Sequence, residues 1–194
     1  MLLANKITFL RIILAPVFFI LFMVPSFFPS LFSGNFVWTV PVLWLVFIGA
    51  GITDALDGMV ARKRNEISDF GKLFDPFADT LMQVTCFLCF VLEGIFPAIL
   101  YLLVLYREFG ILLVRNMMMK KGIAMGARMS GKIKTVTYII AGGAALAAVS
   151  IQRLGIFDFL FPWFKIGALA IFIIAVIFSL LSFFDYLSVY RKSV

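Results

Sequence analysis

Six stretches of predominantly apolar sequence constrain this chain more than any other feature, because each is close to the roughly 20 residues a helix needs to cross a bilayer's hydrocarbon core. They run over about 6–25, 37–57, 72–92, 97–116, 134–152 and 164–187, and Gly and Pro punctuate the sequence between them (Pro25 to Pro29, Gly34, Gly58, Gly94, Pro97, Gly131, Gly155, Pro162). Only 14% of the residues are charged and 63% are hydrophobic, whereas a soluble domain carries about 25% charged residues. A soluble domain, a disordered tail and a coiled coil are therefore excluded. Continuous runs such as 166–181 are helical in character, without the ~10-residue alternation of an outer-membrane barrel. The expectation is an all-α integral membrane protein with six transmembrane helices, forming one domain over 1–194.

Basic residues orient the six spans. Of the 17 Lys and Arg, Arg153 and Lys165 fall on one side of the membrane, Arg107 lies within a span, and the rest fall on the other side. The positive-inside rule then puts both termini and the 58–71 and 117–133 loops in the cytoplasm. In so apolar a chain the net charge of +7 is read as orientation and contact with anionic head groups in the lipid bilayer, with no nucleic-acid partner. The first span has no small-residue cleavage site and is read as retained rather than as a signal peptide. Cys86 and Cys89, inside an apolar run, are read as helix packing rather than as a redox or metal pair.

The chain has no histidine, so imidazole bases and His-ligated metals are excluded and any acid–base or metal chemistry rests on carboxylates. These are clustered. Asp54, Asp57, Glu66, Asp69, Asp75 and Asp79 are six of the ten acidic residues. Asp54 and Asp57, three apart, share a face at the end of the second span, and Asp75 and Asp79, four apart, share one at the start of the third. A short loop makes the two spans antiparallel neighbours that can turn both faces inward at one depth. Four carboxylates there would cost several kcal/mol each if left bare. Bound divalent cations offset that cost, and hard oxygen ligands in this number suit Mg²⁺ or Mn²⁺, as a two-ion pair. A loop charge network with Arg62, Lys63, Arg64 and Lys72 accounts for Glu66 and Asp69, but not for Asp75 and Asp79, which sit in apolar sequence. Gly58 and Gly71 bracket the loop, Gly58 with Ala61 allows a bulky group to approach the helix end, and Arg62 beside them is a natural phosphate clamp.

The pattern Asp54-x2-Asp57-Gly58-x2-Ala61-Arg62-x8-Gly71-x3-Asp75-x3-Asp79 resembles the signature of the CDP-alcohol phosphotransferases, and the six-helix layout resembles that family along the whole chain. The resemblance implies transfer of a phosphatidyl or similar group from a CDP-linked donor to an alcohol, with release of CMP. It further implies that Asp54 and Asp75 bridge two metal ions, that Asp57 completes one and Asp79 the other, and that Asp79 is the base taking the acceptor's hydroxyl proton. Gly58, Arg62 and Ser68 stand where the family contacts the CDP moiety. Asn5, Thr8 and Arg11, with Pro16, resemble its opening segment, whose polar residues also face the nucleotide. Their three-residue spacing alone puts them near one stripe, which is also compatible with an interfacial cap and a snorkelling anchor. The family tends toward homodimers. A lipid donor such as CDP-diacylglycerol would place a multi-pass enzyme in the cell membrane, its active site facing the cytoplasm.

The acceptor is addressed by the fourth span and the loop after it. Arg107 and Glu108 lie mid-span, where charge is expensive and usually functional. Arg115 follows ~12 Å further along the helix, and Lys120, Lys121, Arg128, Lys132 and Lys134 come next. A neutral or zwitterionic acceptor such as inositol, serine or choline needs no such cluster, whereas a phosphorylated acceptor does. The segment Arg107-Glu108-Phe109 … Arg115 … Gly131-Lys132-Ile133-Lys134-Thr135 resembles the phosphatidylglycerophosphate synthase branch, which implies glycerol 3-phosphate as acceptor, with its phosphate held by Arg107, Arg115, Lys132 and Lys134. Thr80 stands where many members of that branch have lysine. Lys120, Lys121 and Arg128 are read as lipid anchors. A silent Arg107–Glu108 pair is not expected, since adjacent helical residues point about 100° apart. Inositol phosphate is the runner-up acceptor. A non-enzymatic transporter could also place carboxylates at a pore mouth, but no internal repeat supports it, and a pore does not release CMP.

Overall fold

The computed structural model describes residues 3–28, 36–64, 69–120, 129–155 and 157–192; for 3–7, 54–64, 69–73, 130 and 192 only the backbone is described. Among the described residues the chain is all-helical, with α1 (Leu3–Phe27), α2 (Thr39–Arg64), α3 (Asp69–Leu92), α4 (Ala98–Lys120), α5 (Met129–Leu154), a 3₁₀ turn (Asp158–Leu160) and α6 (Phe161–Lys192). A helix satisfies every interior backbone N–H and C=O within its own segment, which a lipid environment demands.

Each of the six expected spans coincides with one helix, although α2 and α4 start only at Thr39 and Ala98 and several helices run on past the apolar edges. α2 continues to Arg64, α5 begins at Met129 and α6 reaches Lys192. Among the described residues four helical stretches are long and apolar enough to cross a membrane: Thr8–Phe27, Phe74–Leu92, Gly131–Leu154 and Asp158–Arg191. The apolar stretch described in α2, Thr39–Thr53, is shorter. α4 has 23 residues but carries Arg107, Glu108 and Arg115 inside it.

Two of the expected breakers, Gly94 and Gly155, follow closely on helix ends, whereas Pro25, Gly131 and Pro162 lie inside α1, α5 and α6. Beyond α3, Gly94 takes a left-handed φ of 72°, and the Ile95 N–H returns to the Phe90 carbonyl at 2.9 Å. Beyond α5, Gly155 takes φ 60° and donates to the Ile151 carbonyl at 3.2 Å. Both are the glycine-tolerant conformation that satisfies the last carbonyls of a helix.

The chain divides into two compact units, Met1–Cys89 and Phe90–Val194. In the first, α1 packs on α2. The buried stripe of α1 is Thr8, Arg11, Ala15, Phe18 and Phe22, polar at its N-terminal end and apolar beyond, at the three- and four-residue steps of a helix face. Cys86 and Cys89 of α3 are buried and form no disulfide, in keeping with a packing role.

In the second unit α6 packs against both α5 and α4. α5 buries Ala141, Ala145 and Ala148, and α6 buries Ala168, Phe172 and Ala175; small side chains let the two backbones approach closely, the usual basis of helix association in lipid. Phe96 stacks on Phe172 with ring centroids 3.9 Å apart. Ala145 has no exposed surface, so Ala145→Leu overpacks this seam and is expected to cost about 1–3 kcal/mol. A lowered unfolding temperature of the purified protein in detergent measures it; an unchanged temperature would show that the seam can open.

Candidate active site

The stripes that pack these helices turn polar at one end, and the candidate site residues lie there. In the first unit, Asp75 and Asp79 stand one turn apart on α3, Asp75 half-buried and Asp79 with its side chain 46% exposed. The Thr8 hydroxyl donates to Asp75 Oδ1, and Arg11 Nη1 donates to Asp79 Oδ1. Thr8 and Arg11 are themselves buried. The three-residue step on α1 thus meets the four-residue step on α3, and two of the expected nucleotide-facing residues sit on two of the expected metal ligands.

Asp54, Asp57, Gly58, Ala61 and Arg62 all lie on the continuous helix α2, Gly71 lies on α3 and Asn5 on α1, but their side chains are outside the described residues. Ser68 is outside them altogether. Among the described residues no group of three or more His, Cys, Asp or Glu could hold a metal ion. The chemistry of these side chains fits a hard dication: Asp75 and Asp79 present only oxygen donors on one face, and Asp79 remains open to solvent on one side.

In the second unit the same construction is more extensive. α4 buries Val104, Arg107, Glu108, Ile111, Val114 and Met118. Lys134 and Tyr138 continue the alanine stripe of α5 toward its N-terminus, and Ser179, Ser182 and Tyr186 continue that of α6 toward its C-terminus. These polar ends form one network. Arg107 Nη1 donates to Glu108 Oε1 at 2.8 Å, Lys134 Nζ to the same oxygen at 2.9 Å, Arg107 Nε to the Ser179 carbonyl at 3.1 Å and Arg107 Nη2 to Ser182 Oγ at 3.1 Å. The Tyr138 hydroxyl donates to Ser179 Oγ at 2.5 Å, and Lys134 Nζ lies 4.6 Å from the Tyr138 ring centre. Arg115 sits over the Tyr186 ring at 5.7 Å, its Nε buried without a hydrogen-bond acceptor among the described residues.

The Arg107–Glu108 pair corrects the expectation that these neighbours would not meet. Their Cβ atoms diverge, but both side chains are long, and at 5% and 4% exposure neither charge has water to turn to. Burial outweighs divergence.

Of the four residues expected to hold an acceptor phosphate, the structure brings Arg107 and Lys134 together on Glu108. Arg115 is half-buried beside Tyr186, and Lys132 is exposed, two residues from Lys134 and so on another face of α5. Tyr138, Ser179, Ser182 and Tyr186 were not anticipated. Their signal was available in the helical period: Tyr138 is four residues from Lys134, and Ser179, Ser182 and Tyr186 keep step with Ala168, Phe172 and Ala175.

A family model described as CDP-alcohol phosphatidyltransferase matches residues 1–181. The CDP-diacylglycerol–glycerol-3-phosphate 3-phosphatidyltransferase of Treponema pallidum is 37% identical over 197 residues, covering 97% of this chain and 88% of that protein. Proteins of the same name are 38% identical over 148 residues in Bacillus subtilis (74% of this chain, 76% of that protein) and 30% identical over 191 residues in Haemophilus influenzae (96% and 92%). A family model spanning nearly the whole sequence, and relatives aligned almost end to end, show that this chain belongs to the CDP-alcohol phosphatidyltransferase family.

Proposed function

We propose that this protein is a membrane enzyme that transfers the phosphatidyl group of CDP-diacylglycerol to glycerol 3-phosphate, giving phosphatidylglycerophosphate and CMP. The names of its relatives support both substrates. The structural observation that carries the acceptor is a surplus of buried positive charge. Arg107 and Lys134 share one carboxylate, and among the described residues the nearby Arg115 leaves a buried N–H without an acceptor. Buried charge is costly unless compensated, and an anionic ligand compensates it.

On this reading the chain works as a single domain of six membrane spans, with both termini and the active site on the cytoplasmic side of the cell membrane, and assembles as a homodimer. Residues of the first unit bind the donor. Asn5, Thr8, Arg11, Gly58, Ala61, Arg62, Ser68 and Gly71 hold the CDP moiety, the glycines and alanine by allowing close approach and Arg62 by a forked contact to phosphate. Asp54, Asp57, Asp75 and Asp79 would hold two divalent ions, Mg²⁺ or Mn²⁺, which when bound offset charge building on the reacting phosphate. Asp79 accepts the proton of the acceptor's hydroxyl. That oxygen bonds to the phosphatidyl phosphorus, the bond from this phosphorus to the oxygen bridging to the cytidylate phosphate breaks, and CMP leaves. Residues of the second unit, Arg107, Arg115, Lys132 and Lys134, hold the acceptor's phosphate.

An acceptor screen with CDP-diacylglycerol, following CMP, tests this. Glycerol 3-phosphate should react and unphosphorylated glycerol should react very poorly. Reaction with inositol phosphate instead would keep the site and change the substrate, and equal reaction with inositol, serine or choline would reassign the cations to lipid anchoring. Neutralising Arg107 or Arg115 should raise the KM for glycerol 3-phosphate far more than that for CDP-diacylglycerol. A charge-assisted contact is worth about 1.5–3 kcal/mol, or roughly 10- to 150-fold, and Arg→Lys should rescue only in part because a planar fork becomes a point charge.

A further inference from the structure

We infer that Glu108 is a positioning residue for the acceptor's phosphate, aligning Arg107 and Lys134 and setting the charge they present. The inference rests on the proposal that these cations bind that phosphate. One oxygen, Oε1, takes both Arg107 Nη1 at 2.8 Å and Lys134 Nζ at 2.9 Å, so a single carboxylate fixes the separation of two cations on different helices. Without it, two like charges buried side by side would repel and separate.

The remaining contacts of these cations leave donors over. Arg107 has five N–H groups; one goes to Glu108, one to the Ser179 carbonyl and one to Ser182 Oγ. Lys134 has three, with one on Glu108 and its charge over the Tyr138 ring. Among the described residues both groups are therefore anchored and oriented yet keep unused donors, as a preformed phosphate cradle requires.

The charge matches as well. Among the contacts described above, Arg107, Lys134 and Arg115, less Glu108, leave two positive charges, and a phosphate monoester near neutral pH carries about −1.5 to −2.

The test uses the full-length enzyme with CDP-diacylglycerol in detergent. Glu108→Gln keeps the size and one acceptor oxygen but removes the charge. The KM for glycerol 3-phosphate should rise at least about tenfold, while kcat at saturating acceptor and the KM for CDP-diacylglycerol change less than about threefold. If Glu108 acts through Lys134, the double variant Glu108→Gln/Lys134→Met should be within about twofold of Lys134→Met alone, since residues sharing one network are not additive. Should Glu108→Gln fail to fold, Glu108→Asp decides: the charge is kept, its reach is one methylene shorter, and the same selective rise in KM, of smaller size, is expected. An unchanged or lower KM, an equal loss in kcat, or full additivity with Lys134→Met overturns the inference. If Lys134→Met raises the acceptor KM and Glu108→Gln does not, this inference alone falls. If neither does, the phosphate-binding reading falls with it.

Discussion

Asp79→Asn is expected to lower turnover by ~10²–10⁴-fold, the loss typical of a removed general base, while CDP-diacylglycerol still binds. Asparagine keeps the shape of the side chain and an oxygen that Arg11 Nη1 can still donate to, so the Arg11 contact seen on Asp79 need not be lost. What disappears is the ability to take a proton. The carboxylate is suited to the task by exposure: its side chain is 46% accessible, whereas its partner Arg11 is 2% accessible, so a substrate hydroxyl can reach it. Rates of CMP release under single-turnover conditions, set beside donor binding, separate the two effects. Unchanged turnover would mean that water or the acceptor's own phosphate takes the proton.

Excess chelator should abolish activity, and Asp54→Asn or Asp75→Asn should each reduce turnover by at least ~10³-fold, on the scale of lost charge stabilisation in a transition state. The fold should survive, because the amide oxygen of the Asp75→Asn variant would still accept from the Thr8 hydroxyl that now bonds the carboxylate, and helical content by circular dichroism checks this. Restoration by Mg²⁺ or Mn²⁺ but not by Na⁺ is the companion result. Full activity in excess chelator would end the two-ion reading.

The helices were legible in the sequence because a bilayer-length apolar run has few other solutions. Their ends were less so. Hydropathy marks where a helix leaves an apolar environment, whereas hydrogen bonding stops only where a backbone group or a breaker stops it. α2 therefore carries Arg62 and Arg64 within the helix, and α5 takes in Lys132. The stripe of Thr8 and Arg11 was readable from its period, but the partners Asp75 and Asp79 were not, since spacing places residues on a face without saying which helix the face meets. Arg107 and Glu108 show a different limit. Adjacency on a helix describes Cβ directions, and for side chains with three or four rotatable bonds the surroundings decide where the charge ends. Ser179, Ser182 and Tyr138 escaped notice because serine in an apolar helix can equally turn back to bond its own backbone, as Ser150 does to the Leu146 carbonyl at 2.7 Å, and a tyrosine there reads as one more apolar ring.

The charges within α4 also bear on how the protein is made. On insertion scales a single Arg or Asp at the centre of a transmembrane helix costs about 2.5–3.5 kcal/mol, and α4 holds Arg107 and Glu108 near its middle. The groups that compensate them, Lys134 and the Ser179 and Ser182 oxygens, belong to segments the ribosome delivers later. If all six helices span the membrane, α4 alone would leave that cost uncompensated, and insertion of α4 together with α5 and α6 would offset it.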